Sequence, residues 1–526
     1  ASNEDKPEVT PHVVVIGAGP GGLSLAMLLA RAGARVTVLE RQPHVGGRSA
    51  TLERDGYRFD VGPTFFLYPQ VLQEIFAACG RELSDEVELR RLDTLYRLVF
   101  EEDGDFRVHA DKDALTAEMA RLSPEDAARL PALFADNRAK LDRFKPILEM
   151  PFTRLHDLVS PNMLKALPRF RPWRSLDRDL SAHLQDPRLR LAFSFQSKYL
   201  GMSPFKCPSL FTILSFLEHE YGVFHPIGGC GAIIEAMARV ARDLGVDIRT
   251  GEEVQELAFV NRRPVAAVTA SGHHACDALV VNADFSNAMT RLVPDGLRRR
   301  WRDRRIAKKR FSCSTFMLYL GIEGTVDFDH HTIFLCRDYE RFLAGIESGR
   351  HLPETPCLYV QNACVTDPGQ APPGHSTIYA LAPVPHLGPH VDWSRDKNEF
   401  RERVLDRLEA MGIANLRERI RVEKMVTPDD WQHDFQLYKG ATFNLAHNLG
   451  QMLYWRPRNR FEDLDGVYLV GGGTHPGSGL PVIFEGARIT ARLLAEDLGL
   501  RTADWSEAAR ETSLGSLTPV PHAEAA

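Results

Sequence analysis

The sequence predicts an α/β fold: a Rossmann-like nucleotide-binding domain assembled from discontinuous segments, beside a mixed-sheet domain and a helical region. Three stretches predict it. Val13-Val14-Val15-Ile16 is an apolar, β-branched run that feeds into Gly17-Ala18-Gly19-Pro20-Gly21-Gly22 and then into Leu23–Ala30, which reads as strand, tight turn and helix. Gly33–Glu40 supplies a second strand, ending in an acid about twenty residues further on, where a ribose hydroxyl needs an acceptor. Far along the chain, Gly466–Val470, the glycine-rich run Gly471–Gly479 and a helix through Glu485–Ala491 repeat the strand, turn and helix. Two such units so far apart are expected to build one domain.

The first unit carries G-x-G-x-x-G. Gly17 permits the turn, Gly19 lets the backbone approach a pyrophosphate, and Gly22 lets the helix pack close to the strand. Pro20 and Gly21 open the helix, whose free N–H groups and partial positive charge face the phosphates. After Glu40, the loop from Arg41 to Arg48 brings Gly46 and Gly47 over the same dinucleotide, with Arg48 available to a phosphate. Joined to the Gly471–Gly479 turn, with Gly472, Gly473 and Gly479, these residues point to FAD. The second helix start is expected near the flavin pyrimidine edge, where its positive end favours the anionic reduced flavin.

Bulk properties agree. A chain of 526 residues needs more than one core. With 64 Lys and Arg against 70 Asp and Glu, a net charge of −6 gives no field that would attract nucleic acid. No apolar run is long enough to span a bilayer. Ala1–Thr10 is polar and lacks the apolar core of a secretory signal. The eight cysteines show no metal spacing and read as thiols of a reducing compartment. A cytoplasmic protein that touches a membrane from one side is expected.

The middle of the chain divides by pattern. Residues 106–224 are helical, a lid or substrate region; within it Leu158–Arg174 interleaves apolar residues, aromatics and cations, with prolines that forbid one continuous helix. That composition suits a peripheral, monotopic membrane contact or a solvated lid. Residues 225–295 return to the nucleotide domain, which has its first part at 11–105 and its last at 460–500. In the return, Ala278–Asp284 is a buried strand bringing Asn282 and Ala283 to the cofactor. Residues 296–459 alternate strands with Gly and Pro breaks and form the mixed-sheet substrate domain. The stretch 503–526 is rich in Ser, Ala, Pro and Glu and reads as a disordered tail.

Gly46-Gly47-Arg48, Asp60-Val61-Gly62-Pro63-Thr64, Tyr221–Gly229 and Thr474-His475-Pro476-Gly477 together resemble FAD-dependent carotenoid desaturases of the bacterial phytoene desaturase type, within the flavin amine oxidase group. The resemblance spans roughly Val13–Leu498. It implies FAD contacts at Gly62, Pro63 and Thr64, and a backbone contact to the adenine at Val254. It also covers Gly440–Phe443 with His447, Gln451, Arg456 and Pro457. The chain departs from the usual pattern at Phe224, where Trp is common, and at Val482 and Phe484-Glu485.

The chemistry implied is hydride transfer to flavin N5, which needs an oriented C–H bond and no nucleophile. No G-x-S-x-G, H-E-x-x-H or Cys-His motif is present. The tandem pairs His273-His274 and His330-His331 project to opposite faces of a strand, so no metal is expected. No second G-x-G-x-x-G follows a strand, so electrons are expected to pass to oxygen or a membrane quinone. The substrate implied is a lipophilic polyene such as phytoene or diapophytoene. His475 is the candidate proton acceptor, Glu485 the second and His225 a third, with a purely structural His475 equally open. An oxygenase or ketolase, an isomerase, a saturase, an amine oxidase and a prenyl-binding carrier are the rival readings.

Overall fold

The computed structural model describes residues 10–502 and Trp505; the tail expected at 503–526 otherwise lies outside the described residues. Five parallel strands form the first sheet, in the order Asp247–Thr250, Arg35–Glu40, His12–Ile16, Ala278–Val281, Val467–Leu469. The strand nearest the start of the chain is therefore central, and the strand from residue 467 closes one edge. Its central strands are buried on both faces, as near-continuous apolar runs in a parallel sheet require. On one face the helix Pro20–Arg31 lies between the helices Cys230–Asp243 and Leu480–Leu498. Every residue of it from Gly21 to Leu29 is buried, which explains a helix apolar all round. The other face is covered by a three-stranded antiparallel sheet, Glu256–Val260, Arg263–Thr269 and Gly272–Ala275, and by the helix Phe285–Leu292.

The second sheet has seven strands, ordered Ile420–Val426, Ser314–Glu323, His375–Val384, Leu358–Gln361, His331–Leu335, Thr94–Phe100, Gly104–His109. All its pairs are antiparallel except His331–Leu335 with Thr94–Phe100. Alternation along Ser314–Glu323 sorts its two faces. Phe316, Leu318 and Leu320 pack with Trp393, Phe400, Val404 and Leu408 of the helix Trp393–Ala410. Thr315 and Met317 face the opposite way, into the cavity described below.

The expected boundary at residue 105 falls inside the strand Gly104–His109 of this mixed sheet, so residues 94–109 pack with the substrate domain and not with the parallel sheet. Their partner strand lies more than two hundred residues away, which is why local pattern did not place them. The helical region is built from Lys112–Leu122, Pro124–Leu148, Pro161–Phe170 and Ile213–Tyr221 with shorter turns between. The stretch 158–174 is not one continuous helix: an α-helix covers only Pro161–Phe170, opened by Pro161 at its first position, with Pro168 inside it, and ended by Arg171 in the left-handed region at φ 42°.

Candidate active site

A continuous cavity runs from the carboxyl ends of the parallel strands, past the inner face of the mixed sheet, to the helices of the lid region. Ligands of open parallel sheets bind at that end of the strands. Of the residues expected to hold the cofactor, Gly17, Gly19, Pro20, Gly21, Glu40, Arg41, Gly47, Arg48, Gly62, Pro63, Thr64, Val254, Asn282, Ala283, Gly472, Gly473 and Gly479 line it. Gly22 does not, and its role is packing: a Cβ there would lie 2.3 Å from the Gly17 carbonyl oxygen.

Asn282 explains why the turn is so rich in glycine. Its Nδ2 donates to the Gly17 carbonyl at 2.9 Å, and its amide fills the space beneath the turn. A Cβ on Gly19 would stand 3.3 Å from that Nδ2, and one on Gly21 2.8 Å from its Oδ1. Beyond the turn, the first helical residues carry no acidic side chain and Gly19 offers no side-chain cap, so their N–H groups remain for a ligand. The helix Leu480–Leu498 starts the same way at Gly479, and its first turn lines the same cavity. Glu40 is buried at the end of its strand, where Oε2 accepts from the Ala18 N–H and Oε1 from the Gln42 N–H, each at 2.8 Å. Arg48 reaches across the cavity to donate to the Thr442 carbonyl, with the Asp284 carboxylate offsetting its charge. Arg41 donates to the Asp434 carbonyl.

The Gly471–Gly479 turn is held from beneath by residues whose roles local pattern did not reveal. Arg456 is fully buried and its guanidinium donates to four backbone carbonyls: Gly472 at 2.6 Å, Thr474 at 3.2 Å, Leu445 at 3.3 Å and Gln451 at 3.4 Å. His447 accepts from the Ser478 N–H at 3.0 Å through Nε2, which places its proton on Nδ1. Asn459 donates to the His475 carbonyl at 2.9 Å. Gly477 must be glycine here, since a Cβ would fall 2.6 Å from His447 Nε2.

The three candidate proton acceptors lie off the cavity wall. His475 lies on the turn, but its ring points away from the cavity: Nε2–H donates to the Met150 carbonyl at 2.9 Å, and the ring packs edge-on against Phe152. Burial pushes its pKa down to about 4. Glu485 faces Arg488 and Arg492 behind the helix and does not reach the cavity. His225 is buried beside Asp367, Nε2 to Oδ2 3.3 Å, also off the cavity wall. The register of a glycine turn fixes where a backbone goes and says little about which way its side chains turn.

The residues present fit FAD. They offer a backbone cradle that a Cβ would fill, two uncapped helix starts, an acid at the second strand and a half-buried arginine. Gly19→Val is expected to give folded protein that purifies without yellow colour, because the added methyls occupy the pyrophosphate space. Stoichiometric flavin in that variant, read from its visible spectrum, would overturn the placement.

Such a site defines a flavin-dependent oxidoreductase. A family model described as flavin containing amine oxidoreductase matches residues 20–498, and the chain belongs to that family. A 4,4'-diapophytoene desaturase (4,4'-diapolycopene-forming) of Methylomonas sp is 40% identical over 502 residues, covering 95% of this chain and 98% of that one. An all-trans-zeta-carotene desaturase of Myxococcus xanthus is 39% identical, over 93% of this chain and 94% of its own. A lycopene-forming phytoene desaturase of Pseudescherichia vulneris is 34% identical, over 92% and 99%. Among solved structures, an oxidoreductase from Methanosarcina mazei superposes with a TM-score of 0.62 at 18% identity, covering 91% of this chain and 99% of the other. A putrescine oxidase gives 0.61 at 15%, covering 93% and 99%, which supports the shared fold alone. FAD is the cofactor of this chain, and it is an FAD-dependent oxidoreductase.

Proposed function

We propose that the protein desaturates a long, apolar isoprenoid of the phytoene or diapophytoene kind, working at a membrane surface with oxygen or a quinone as final electron acceptor. One observation carries the reading. Beyond the cradle the cavity continues as an apolar passage, walled by Phe65, Phe211, Leu214, Met317, Leu335 and Leu358, with no carboxylate among these walls to recognise an amine. A chain-like hydrocarbon gains about 25 cal/mol per Å² of surface it buries in such a passage. FAD, when bound, supplies the hydride acceptor. The walls orient the polyene and exclude water, and the rings of Tyr199 and Tyr359 pack against Phe65 on that wall.

The membrane part of the reading rests on the segment around Pro161–Phe170. Leu155, Val159, Leu164, Leu167 and Trp173 are exposed there, and Lys165, Arg169 and Arg174 stand among them. Apolar side chains flanked by cations suit the head-group boundary of an anionic bilayer. Among the described residues no helix is long and apolar enough to cross a membrane.

The test is expression in cells that accumulate phytoene or diapophytoene. Coloured, more conjugated products from one of the two are expected. Unchanged pigments with both substrates, in the presence of flavin-loaded protein, would overturn the reading.

A further inference from the structure

The helix Ile213–Tyr221 buries a carboxyl group that neither the cofactor cradle nor the substrate passage uses. Glu218 is fully buried, and among the described residues no cation forms an ion pair with it. Its Oε1 accepts from the Tyr199 hydroxyl at 2.8 Å and its Oε2 from Gln196 Nε2 at 2.9 Å, and the Tyr96 hydroxyl also faces it and favours its charged form. The same Gln196 amide donates to the Tyr96 hydroxyl at 2.8 Å, which in turn donates to the Ala192 carbonyl at 3.3 Å. An ionised carboxylate so poorly neutralised is costly in an apolar core, and burial pushes its pKa up to about 7.

The network ends at the cavity. Tyr199 lines it, and its ring packs 5.3 Å from that of Phe65, the residue after Thr64 in the cradle loop. On the other side of Phe65, at 5.4 Å, Tyr359 also lines the cavity. That hydroxyl is already engaged by Thr64 at 2.6 Å and His331 at 2.7 Å. Among the described residues the hydroxyl of Tyr199 has a hydrogen bond only to Glu218, so its lone pairs are left for the cavity side.

We propose that Tyr199 and Glu218 are the proton exit of the desaturation step, with Tyr199 Oη receiving the substrate proton as its own passes to Glu218. The proposal rests on the desaturase reading above. One carbon loses a hydride, carried with its electron pair to the flavin oxidant. The C–H bond on the adjacent carbon then breaks, and its electrons form the new C=C bond. The proton bonds to Tyr199 Oη, the former Tyr199 proton bonds to Glu218 Oε1, and the carboxylate becomes a neutral acid. A carbon beside a cationic allylic centre is a strong acid, so a neutral phenol is base enough. What a dry passage lacks is a place for the proton to go, and a carboxylate in contact with the wall hydroxyl supplies it. The groups facing Glu218 are Tyr96 from the strand Thr94–Phe100 and Tyr199 and Gln196 from the turn Phe195–Leu200. On its own helix His219 is held neutral by burial, its pKa down to about 3.

The experiment compares wild type, Tyr199→Phe and Glu218→Gln, each loaded with FAD, on whichever polyene the wild type converts. Both variants are expected to lose about 100-fold in kcat, with KM and flavin content unchanged. Wild-type kcat is expected to rise as pH climbs through about 7, where Glu218 loses its proton, and Glu218→Gln to lose that limb. A second readout needs no turnover. Because the folded pKa lies above the usual carboxyl value, the stability Glu218 contributes is present at low pH and lost as pH rises through about 7. The wild-type melting temperature should therefore fall relative to Glu218→Gln across that range. Wild-type kcat in either variant, or a pH limb surviving in Glu218→Gln, overturns the proposal. If Glu218→Gln fails to fold, Tyr199→Phe, which removes a single oxygen, decides it. A wild type inactive on both polyenes overturns the desaturase reading itself and the proposal with it.

Discussion

Gly22→Ala is expected to lose its flavin and about 3 kcal/mol of stability, although alanine is the better helix former. The new methyl would sit 2.3 Å from the Gly17 carbonyl oxygen and 2.7 Å from Asn282 Nδ2. Both obstacles belong to the rigid floor of the site, the first being backbone and the second a side chain pinned to Gly17. The helix must therefore move away from the strand, carrying with it the uncapped N–H groups at its start. A thermal melt and the flavin-to-protein absorbance ratio measure the two effects. A Gly22→Ala variant that melts like wild type and keeps full flavin would mean that the strand and helix do not meet as described.

Arg456→Met is expected to be comparably severe, by a different route. Methionine fills most of the volume but leaves the carbonyls of Gly472, Thr474 and Leu445 without their donor. Each unsatisfied buried carbonyl costs about 1–3 kcal/mol, so the turn at 471–479 loosens even where the fold survives. The expected result is a steep rise in the Kd for FAD, by equilibrium dialysis, and new protease cleavage near that turn. Arg456→Lys should rescue little, because one ammonium cannot fork to carbonyls on separate segments. Wild-type FAD affinity in Arg456→Met would show that the clamp does not support the site.

The glycine-rich turn proposed as the cofactor cradle was legible in the sequence because it is made of backbone demands that only certain residues meet. Gly17 adopts φ +97°, Gly19 and Gly21 stand against the Asn282 amide, and Glu40 ends its strand beside the Ala18 N–H. Such constraints are written locally, within a few residues of one another. Side-chain direction is not. His475 sat in the right turn and proved to face Met150, because what orients it is a carbonyl 325 residues away. Arg456 and His447 fell in a stretch that resembled the family, yet their purpose appears only when the Gly471–Gly479 turn is laid over them. Tyr199 and Glu218 left no signal, since a Tyr and a Glu at i and i+19 on different elements follow no period. The mixed sheet was expected, but the pairing of Thr94–Phe100 with His331–Leu335 joins segments that composition could not connect.

The order of strands in the parallel sheet also sets a schedule for the cell. The strand His12–Ile16 leaves the ribosome before the other strands of its sheet, yet one neighbour, Ala278–Val281, comes some 260 residues later, and the helix that covers its own helix ends at Leu498. At usual synthesis speeds the interval is roughly half a minute to a minute and a half. Throughout it an apolar strand and helix wait without their partners. A chain cut short before residue 467 lacks the edge strand and the second uncapped helix start, and is expected to be colourless.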